Sequence, residues 1–135
     1  VREFILMQDE LEELLKYLPN KGIVLLRGDL ASGKTSLVQA LLKKLNFDEK
    51  PNSPTFSLMQ SYEKDAKKIY HYDIYQVGLR GILQNGLFEN FFEEGLHLVE
   101  WGDENLEKAL KKMGIKPYIV EIFPLNSKRK YVIYE

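Results

Sequence analysis

Residues 23–36 read IVLLRGDLASGKTS, and their order decides how the rest of the chain folds. An apolar segment, Ile23–Leu26, runs into a turn bracketed by Gly28 and Gly33, and an apolar pattern of helical period follows. That order is strand, loop, helix, and the G-x-x-x-x-G-K-[ST] spacing inside it is that of a phosphate-binding P-loop. Its glycines let the backbone of Gly28, Asp29, Leu30, Ala31, Ser32, Gly33 and Ser36 wrap so that successive N–H groups point inward at phosphate oxygens. Lys34 would reach the β- and γ-phosphates, the Thr35 hydroxyl would ligate Mg²⁺, and the following helix adds the positive end of its dipole. The alternative is a glycine-rich connection that binds nothing.

The chain has 135 residues, near the usual size of one domain, so one core spanning 1–135 is expected. Its net charge of −1 supplies no overall field toward nucleic acid or an anionic membrane, so such a partner must be met through a local patch or another protein. The absence of cysteine excludes disulfides, thiolate zinc sites and a cysteine nucleophile, and suits a reducing cytoplasm. The opening VREFILMQDE is too short in its apolar part for a signal peptide, and no run approaches a membrane span.

Leu11, Leu14, Leu15 and Leu18 form one stripe of an amphipathic helix, stopped by Pro19, Asn20 and Gly22. The run Ile23–Arg27, continuously apolar apart from its last residue, suits a strand covered on both faces. Leu37, Val38, Leu41, Leu42 and Leu45 are the buried stripe of the second helix. The stiff connection FDEKPNSPTF leads to a hairpin, Phe56–Glu63 and Lys68–Tyr75, turning near Lys64 and Asp65. Period two places His71, Asp73 and Tyr75 on one face of its second strand. One or two short helices are expected within Val77–Gly95, and Leu96–Trp101 is a buried strand. Asp103 caps a helix with the stripe Leu106, Ala109, Leu110 and Met113, and Tyr118–Phe123 and Tyr131–Tyr134 close the chain as a hairpin. The fold class is therefore α/β: a single P-loop NTPase-like domain with a mixed β-sheet flanked by helices.

A P-loop needs an acidic group beside it to complete a Mg²⁺ site. Glu100 ends the apolar run LHLVE and Asp73 ends KIYHYD; either can hold the metal directly or through water, or else serve only as a strand-end or turn residue. Trp101, the single tryptophan, is a packing residue or a sensor of nucleotide or partner. Thr55, in S-P-T-F, is a switch-like threonine meeting the γ-phosphate or its metal, or a strand-starting threonine. His71 either orients Asp73 or is structural, and Lys128, Arg129 and Lys130 either solvate a hairpin or touch RNA phosphate. No N-K-x-D follows the P-loop, and no lid with paired arginines is apparent, which weakens guanine selection and small-molecule kinase chemistry.

GDLASGKTSLVQ, SPTFSLMQSY, HYDIYQ and LVEW, in this order, closely resemble the bacterial TsaE (YjeE) family, small P-loop ATPases needed to make threonylcarbamoyladenosine in tRNA. The resemblance runs from Gly22 to about Asp103 and implies a cytoplasmic ATPase that acts with the TsaB–TsaD complex, meets tRNA only indirectly, and does not transfer the threonylcarbamoyl group itself. By motif it assigns Lys34 and Thr35 to phosphate and Mg²⁺, Thr55 to the switch-like position, Asp73 to the acid of H-x-D-x-Y, and Glu100 with Trp101 to the E-W pair. Catalysis would then rest on Lys34, Asp73 and Glu100, with Thr35, Asp73 and Glu100 as the metal set and ATP as nucleotide. Two departures stand out: Ala31 where the family commonly has glycine, and Gln76 where it commonly has arginine, a role that would fall to Arg80 or to the partner. No arginine is placed over the γ-phosphate by spacing, so hydrolysis is expected to be weak alone and partner-stimulated. The alternatives are a non-hydrolytic ATP-dependent assembly switch and a small-molecule kinase.

Overall fold

The computed structural model describes residues 1–47 and 58–135. Its centre is β2 (Gly22–Arg27), whose residues alternate between two cores. Val24 and Leu26 join one apolar cluster, Ile23 and Leu25 the other, and all four are at most 3% exposed. A strand covered on both faces has no polar side, which is why this run carries no alternation in sequence.

Around β2 lies a seven-stranded mixed sheet. In chain order its other strands are β1 (Arg2–Leu6), β3 (Met59–Lys64), β4 (Lys67–Asp73), β5 (Leu96–Glu100), β6 (Tyr118–Pro124) and β7 (Arg129–Tyr134), and across the sheet they run β1-β7-β6-β2-β5-β4-β3. The inner four, β6, β2, β5 and β4, are mutually parallel, and the flanking pairings are antiparallel. The C-terminal ends of the four parallel strands therefore share one edge. β7 starts at that edge and β1 ends there, because Arg129 pairs with both Pro124 and Leu6.

Helices cover both faces. α1 (Glu12–Leu15) and α2 (Lys34–Lys44) pack on one, while α3 (Gly78–Gln84) and α4 (Glu104–Lys112) pack on the other. Asp103 caps α4 by accepting from the Leu106 N–H at 3.0 Å, as its position before the stripe predicts. Leu106 and Leu110 are buried, but Met113 is 56% exposed because it lies at the helix C-cap, past the last packed turn.

Two elements differ from expectation. The first helix is shorter than its leucine stripe: a 3₁₀ turn, Gln8–Glu10, precedes α1, and Tyr17 and Leu18 continue with i→i−3 bonds. The four leucines are buried all the same, since a tightened turn keeps them on one side. β1 is an edge strand that periodicity did not reveal. Its inward residues are only Phe4 and Leu6, while Ile5 between them is 56% exposed, so the segment reads as a short apolar run. The hairpin turn falls on Asp65 and Ala66, with φ of 51° and 67°, the two left-handed residues of a type I′ loop between the paired Lys64 and Lys67.

Candidate functional site

The parallel strands bring three chain-distant segments to one place. Register pairs Leu26 with Glu100 and Glu100 with Asp73, so both carboxylates sit at strand ends beside the loop that leaves β2. Open parallel sheets offer a crevice at this edge. Here it is a cavity of about 380 Å³ lined by Leu30–Ser36, Asp73, Tyr75, Glu100, Trp101 and Arg129.

The loop conformation explains its residue types. A Cβ on Gly28 would lie 2.8 Å from the Ile122 carbonyl oxygen, a backbone atom that cannot yield, so only glycine lets the loop leave β2 this close to β6. Gly33 precedes α2 with φ of 109°, a left-handed value. Ala31 has φ of 60°, a conformation that costs a residue with a Cβ about 1–2 kcal/mol and makes glycine the easier choice there. Ser32 is fully buried under the loop.

Lys34 folds back over this loop. Its Nζ donates to the carbonyl oxygens of Gly28 at 2.7 Å and Asp29 at 2.9 Å, and lies 3.9 Å from the centre of the Trp101 ring. Burial pulls its ammonium below the ordinary lysine range, opposed by Glu100, Asp73 and Asp29. Trp101 holds a left-handed φ of 68° and donates its N–H to the Leu26 carbonyl at 2.9 Å, and its ring packs 4.5 Å from that of Tyr75. Left-handed backbone at a non-glycine residue persists only when neighbours enforce it. Arg27 does so from β2, donating to the Gly102 carbonyl at 2.6 Å and to Glu107 at 2.8 Å. The indole, packed at the margin of the second apolar cluster, is thereby fixed as a wall over Lys34.

The Thr35 hydroxyl donates to Glu100, with its oxygens at 3.0 and 3.1 Å. Glu100 is 3% exposed and its other contact is His71 Nε2 at 2.5 Å. Thus His71 meets Glu100 on the neighbouring strand, not Asp73 on its own, and of its two readings, orienting Asp73 or a structural role, the hydrogen bond to Asp73 is not the one formed. Alternation gives the face, but the partner on that face is set by strand pairing. Among the described residues, His71 Nδ1 and Tyr131 Oη are the buried side-chain polar atoms without a partner. Asp73 is half-buried, and its Oδ1 accepts from the Tyr75 N–H at 3.1 Å. Burial pushes its carboxyl above the ordinary range, with Glu100 adding to the shift and the Tyr75 N–H opposing it.

The donor set suits Mg²⁺: a hydroxyl and two carboxylates, all oxygen, open to a cavity in which phosphate oxygens and water could complete six ligands. Among the described residues no group of three or more His, Cys, Asp or Glu side chains could hold a metal ion by itself. The loop residues Gly28–Ser36, with Asp73, Glu100 and Trp101, are brought together. Thr55 lies outside the described residues. Arg80 is exposed on α3 and does not line the cavity.

Arg129 is the cation that spacing missed. The sequence reads it as solvating a hairpin or touching RNA phosphate; a Cβ on Gly33 would lie 2.6 Å from its Nη1, so the guanidinium rests against the loop. Nη1 also donates to Gln8 Oε1 at 2.8 Å. Nothing local in K-R-K marks it; its placement follows from β7 starting at the same sheet edge as the loop. A second groove, of about 790 Å³, opens beside Ser36 between the Gln8–Lys16 segment and α2. No helix among the described residues is long and apolar enough to cross a membrane.

Comparison with known proteins agrees with this architecture. The crystal structure of Bacillus subtilis YdiB superposes with a TM-score of 0.65 at 20% identity, covering 98% of this chain and 85% of that one, a likeness of fold. The tRNA threonylcarbamoyladenosine biosynthesis protein TsaE of Aquifex aeolicus is 35% identical over 142 residues, 99% of this chain and 96% of the relative. The TsaE of Haemophilus influenzae is 35% identical over 95 residues, 69% of this chain but only 60% of that protein. The family model for the threonylcarbamoyl adenosine biosynthesis protein TsaE matches residues 5–129. This chain belongs to the TsaE family.

Proposed function

We propose that this chain is the ATP-binding and ATP-hydrolysing subunit required for threonylcarbamoyladenosine modification of tRNA, acting in the cytoplasm on the TsaB–TsaD complex without itself transferring the group. The observation that carries this is the contact of Thr35 with both oxygens of Glu100 at the mouth of the loop. A P-loop hydroxyl and a strand-end carboxylate in contact are the pair that shares a metal in P-loop hydrolases.

In this reading the loop N–H groups and Lys34 bind the phosphate chain. Thr35 and Glu100 hold Mg²⁺, which when bound neutralises phosphate charge. Asp73, higher in basicity than an ordinary carboxylate and nearer the open cavity, orients the attacking water. His71 holds Glu100 in place from beneath. Trp101 excludes water from Lys34 and passes the state of the site to the partner surface. The groove beside Ser36 has room for the adenosine moiety.

The test is ATP turnover and tRNA modification with purified TsaB–TsaD. Turnover should be slow for the chain alone and rise when the partners are added. Lys34→Ala should lose nucleotide binding, and Glu100→Ala should keep binding while losing turnover and modification. Fast hydrolysis by the isolated chain, unchanged by the partners, would overturn the partner-stimulated reading.

A second reading, a non-hydrolytic assembly switch, is favoured by one feature. Lys34 and Thr35 are satisfied by the protein itself, so ligand must exchange one bonded state for another. Normal tRNA modification by Glu100→Ala would select it over hydrolysis. Transfer of labelled phosphate to a metabolite would instead select a kinase.

A further inference from the structure

Arg129 stands at a junction. Its guanidinium lines the phosphate-loop cavity, while Gln8, which accepts from it, lines the adjoining groove beside Ser36. Sheet order fixes the direction from which it arrives. Glu100 and Asp73 end β5 and β4, on one side of β2, whereas Arg129 begins β7, two strands away on the other side. The acidic, reacting end of the cavity and the guanidinium thus flank the loop from opposite sides, and the side chain lies against Gly33, one residue before Lys34.

We infer that Arg129 is a nucleotide-binding residue that grips the non-reacting part of the phosphate chain, between the adenosine groove and the γ-position, and that Gln8 holds it ready when no nucleotide is bound. The inference rests on the proposed nucleotide-binding function and extends it to a residue outside the loop motif. A guanidinium presents several N–H donors in a fixed fork, suited to two phosphate oxygens at once, whereas its single bond to the Gln8 amide oxygen is neutral on one side and readily exchanged. The side chain has only to rotate away from an exposed glutamine, and no backbone has to move. Since it approaches from the side away from Glu100 and Asp73, it holds ADP as firmly as ATP. Its contribution is to binding, equal before and during hydrolysis.

The experiment measures affinity for Mg-ATP and Mg-ADP, and partner-stimulated kcat and KM, in wild type, Arg129→Ala, Arg129→Lys and Gln8→Ala. Melting curves verify that each variant is folded. Arg129→Ala should weaken both nucleotides by the same factor, about tenfold or more, as loss of a charged hydrogen bond does. KM should rise while kcat stays within about twofold. Arg129→Lys should fall between, and Gln8→Ala, which also trims the wall of the adenosine groove, should weaken binding less than Arg129→Ala does. Unchanged affinity in a folded Arg129→Ala protein overturns the inference. So does an equal loss in Gln8→Ala, which would mean the pair only ties β7 to the segment after β1, and so does weakening of ATP alone with a fall in kcat. If wild type binds neither nucleotide, the functional proposal itself fails and this inference falls with it.

Discussion

Two histidines lie on neighbouring strands, both essentially without solvent exposure, and the molecule treats them oppositely. His97 on β5 is closed in: its Nε2–H donates to the Glu93 carbonyl at 2.9 Å, and its Nδ1 accepts from Tyr72 Oη at 2.7 Å. Tyr72 Oη in turn accepts from the Asn90 amide at 2.7 Å, so the chain of donors ends on backbone with every ring nitrogen paired. His71 on β4 is open: one nitrogen meets Glu100 and the other has no partner. Burial alone therefore does not distinguish the two histidines. What separates them is whether the network closes on neutral groups or ends on a charge that faces a cavity. A closed network rigidifies, whereas the one ending at Glu100 and Thr35 is the one whose bonds a ligand in the cavity would have to exchange.

Changes at the two networks should therefore separate activity from stability. The largest effect is expected at the open end. Glu100→Gln keeps the shape but removes the charge, and should lower partner-stimulated turnover by about 10²–10³-fold with a modest change in melting temperature. A variant that hydrolyses ATP normally would place Glu100 with the structural group.

At the closed network the outcome should invert. Tyr72→Phe leaves His97 Nδ1 without a donor and the Asn90 amide without this acceptor, and should cost about 1–3 kcal/mol in urea unfolding. Nucleotide affinity in the folded protein should be unchanged. Loss of affinity at constant stability would erase the distinction.

Acid should weaken the closed network through His97. Burial depresses its folded-state pKa below the ordinary value of about 6.5, so the unfolded chain binds the proton more readily. Its contribution to stability is full above about pH 6.5 and is lost as pH falls toward and through the depressed folded value. Melting temperatures between pH 8 and 5 check this: wild type should decline over this acid range, and His97→Gln, less stable at neutral pH, should decline less steeply. Equal slopes would remove His97 as the cause.

The smallest effects come from backbone strain. Ala31 in the loop and Ala66 in the hairpin both have left-handed φ. Glycine at either should raise stability by up to about 1 kcal/mol, relief of strain exceeding the added freedom of the unfolded chain. Only Ala31→Gly should also change nucleotide affinity, measured by titration. Equal changes from both would show that the loop is not specially poised.

Much of this was legible in the sequence wherever one residue's neighbours along the chain decide its place. The strand, loop and helix of 22–44, the Asp103 cap and the Tyr118–Tyr134 hairpin follow from local period and turn chemistry. Asp73 and Glu100 could be nominated because each ends a strand, Glu100 an apolar one and Asp73 a more polar one, and pairing then brought those ends together. The contacts that escaped are those made by register between strands far apart in sequence. His71 to Glu100, Arg129 to the loop and Arg27 to Gly102 span 29, 96 and 75 positions, and no spacing rule encodes them. β1 escaped for a related reason: an edge strand with two inward side chains has too little pattern to announce itself, and becomes a strand because β7 offers it a partner.

The Trp101 ring over Lys34 also gives the protein its own optical gauge. It is the only indole in the sequence, and a cation stands 3.9 Å from its centre, so its emission depends on where that ammonium is. If phosphate binds as proposed and draws Lys34 off the ring, the field at the fluorophore would change, and occupancy of the loop should be readable as a shift in tryptophan fluorescence without any label.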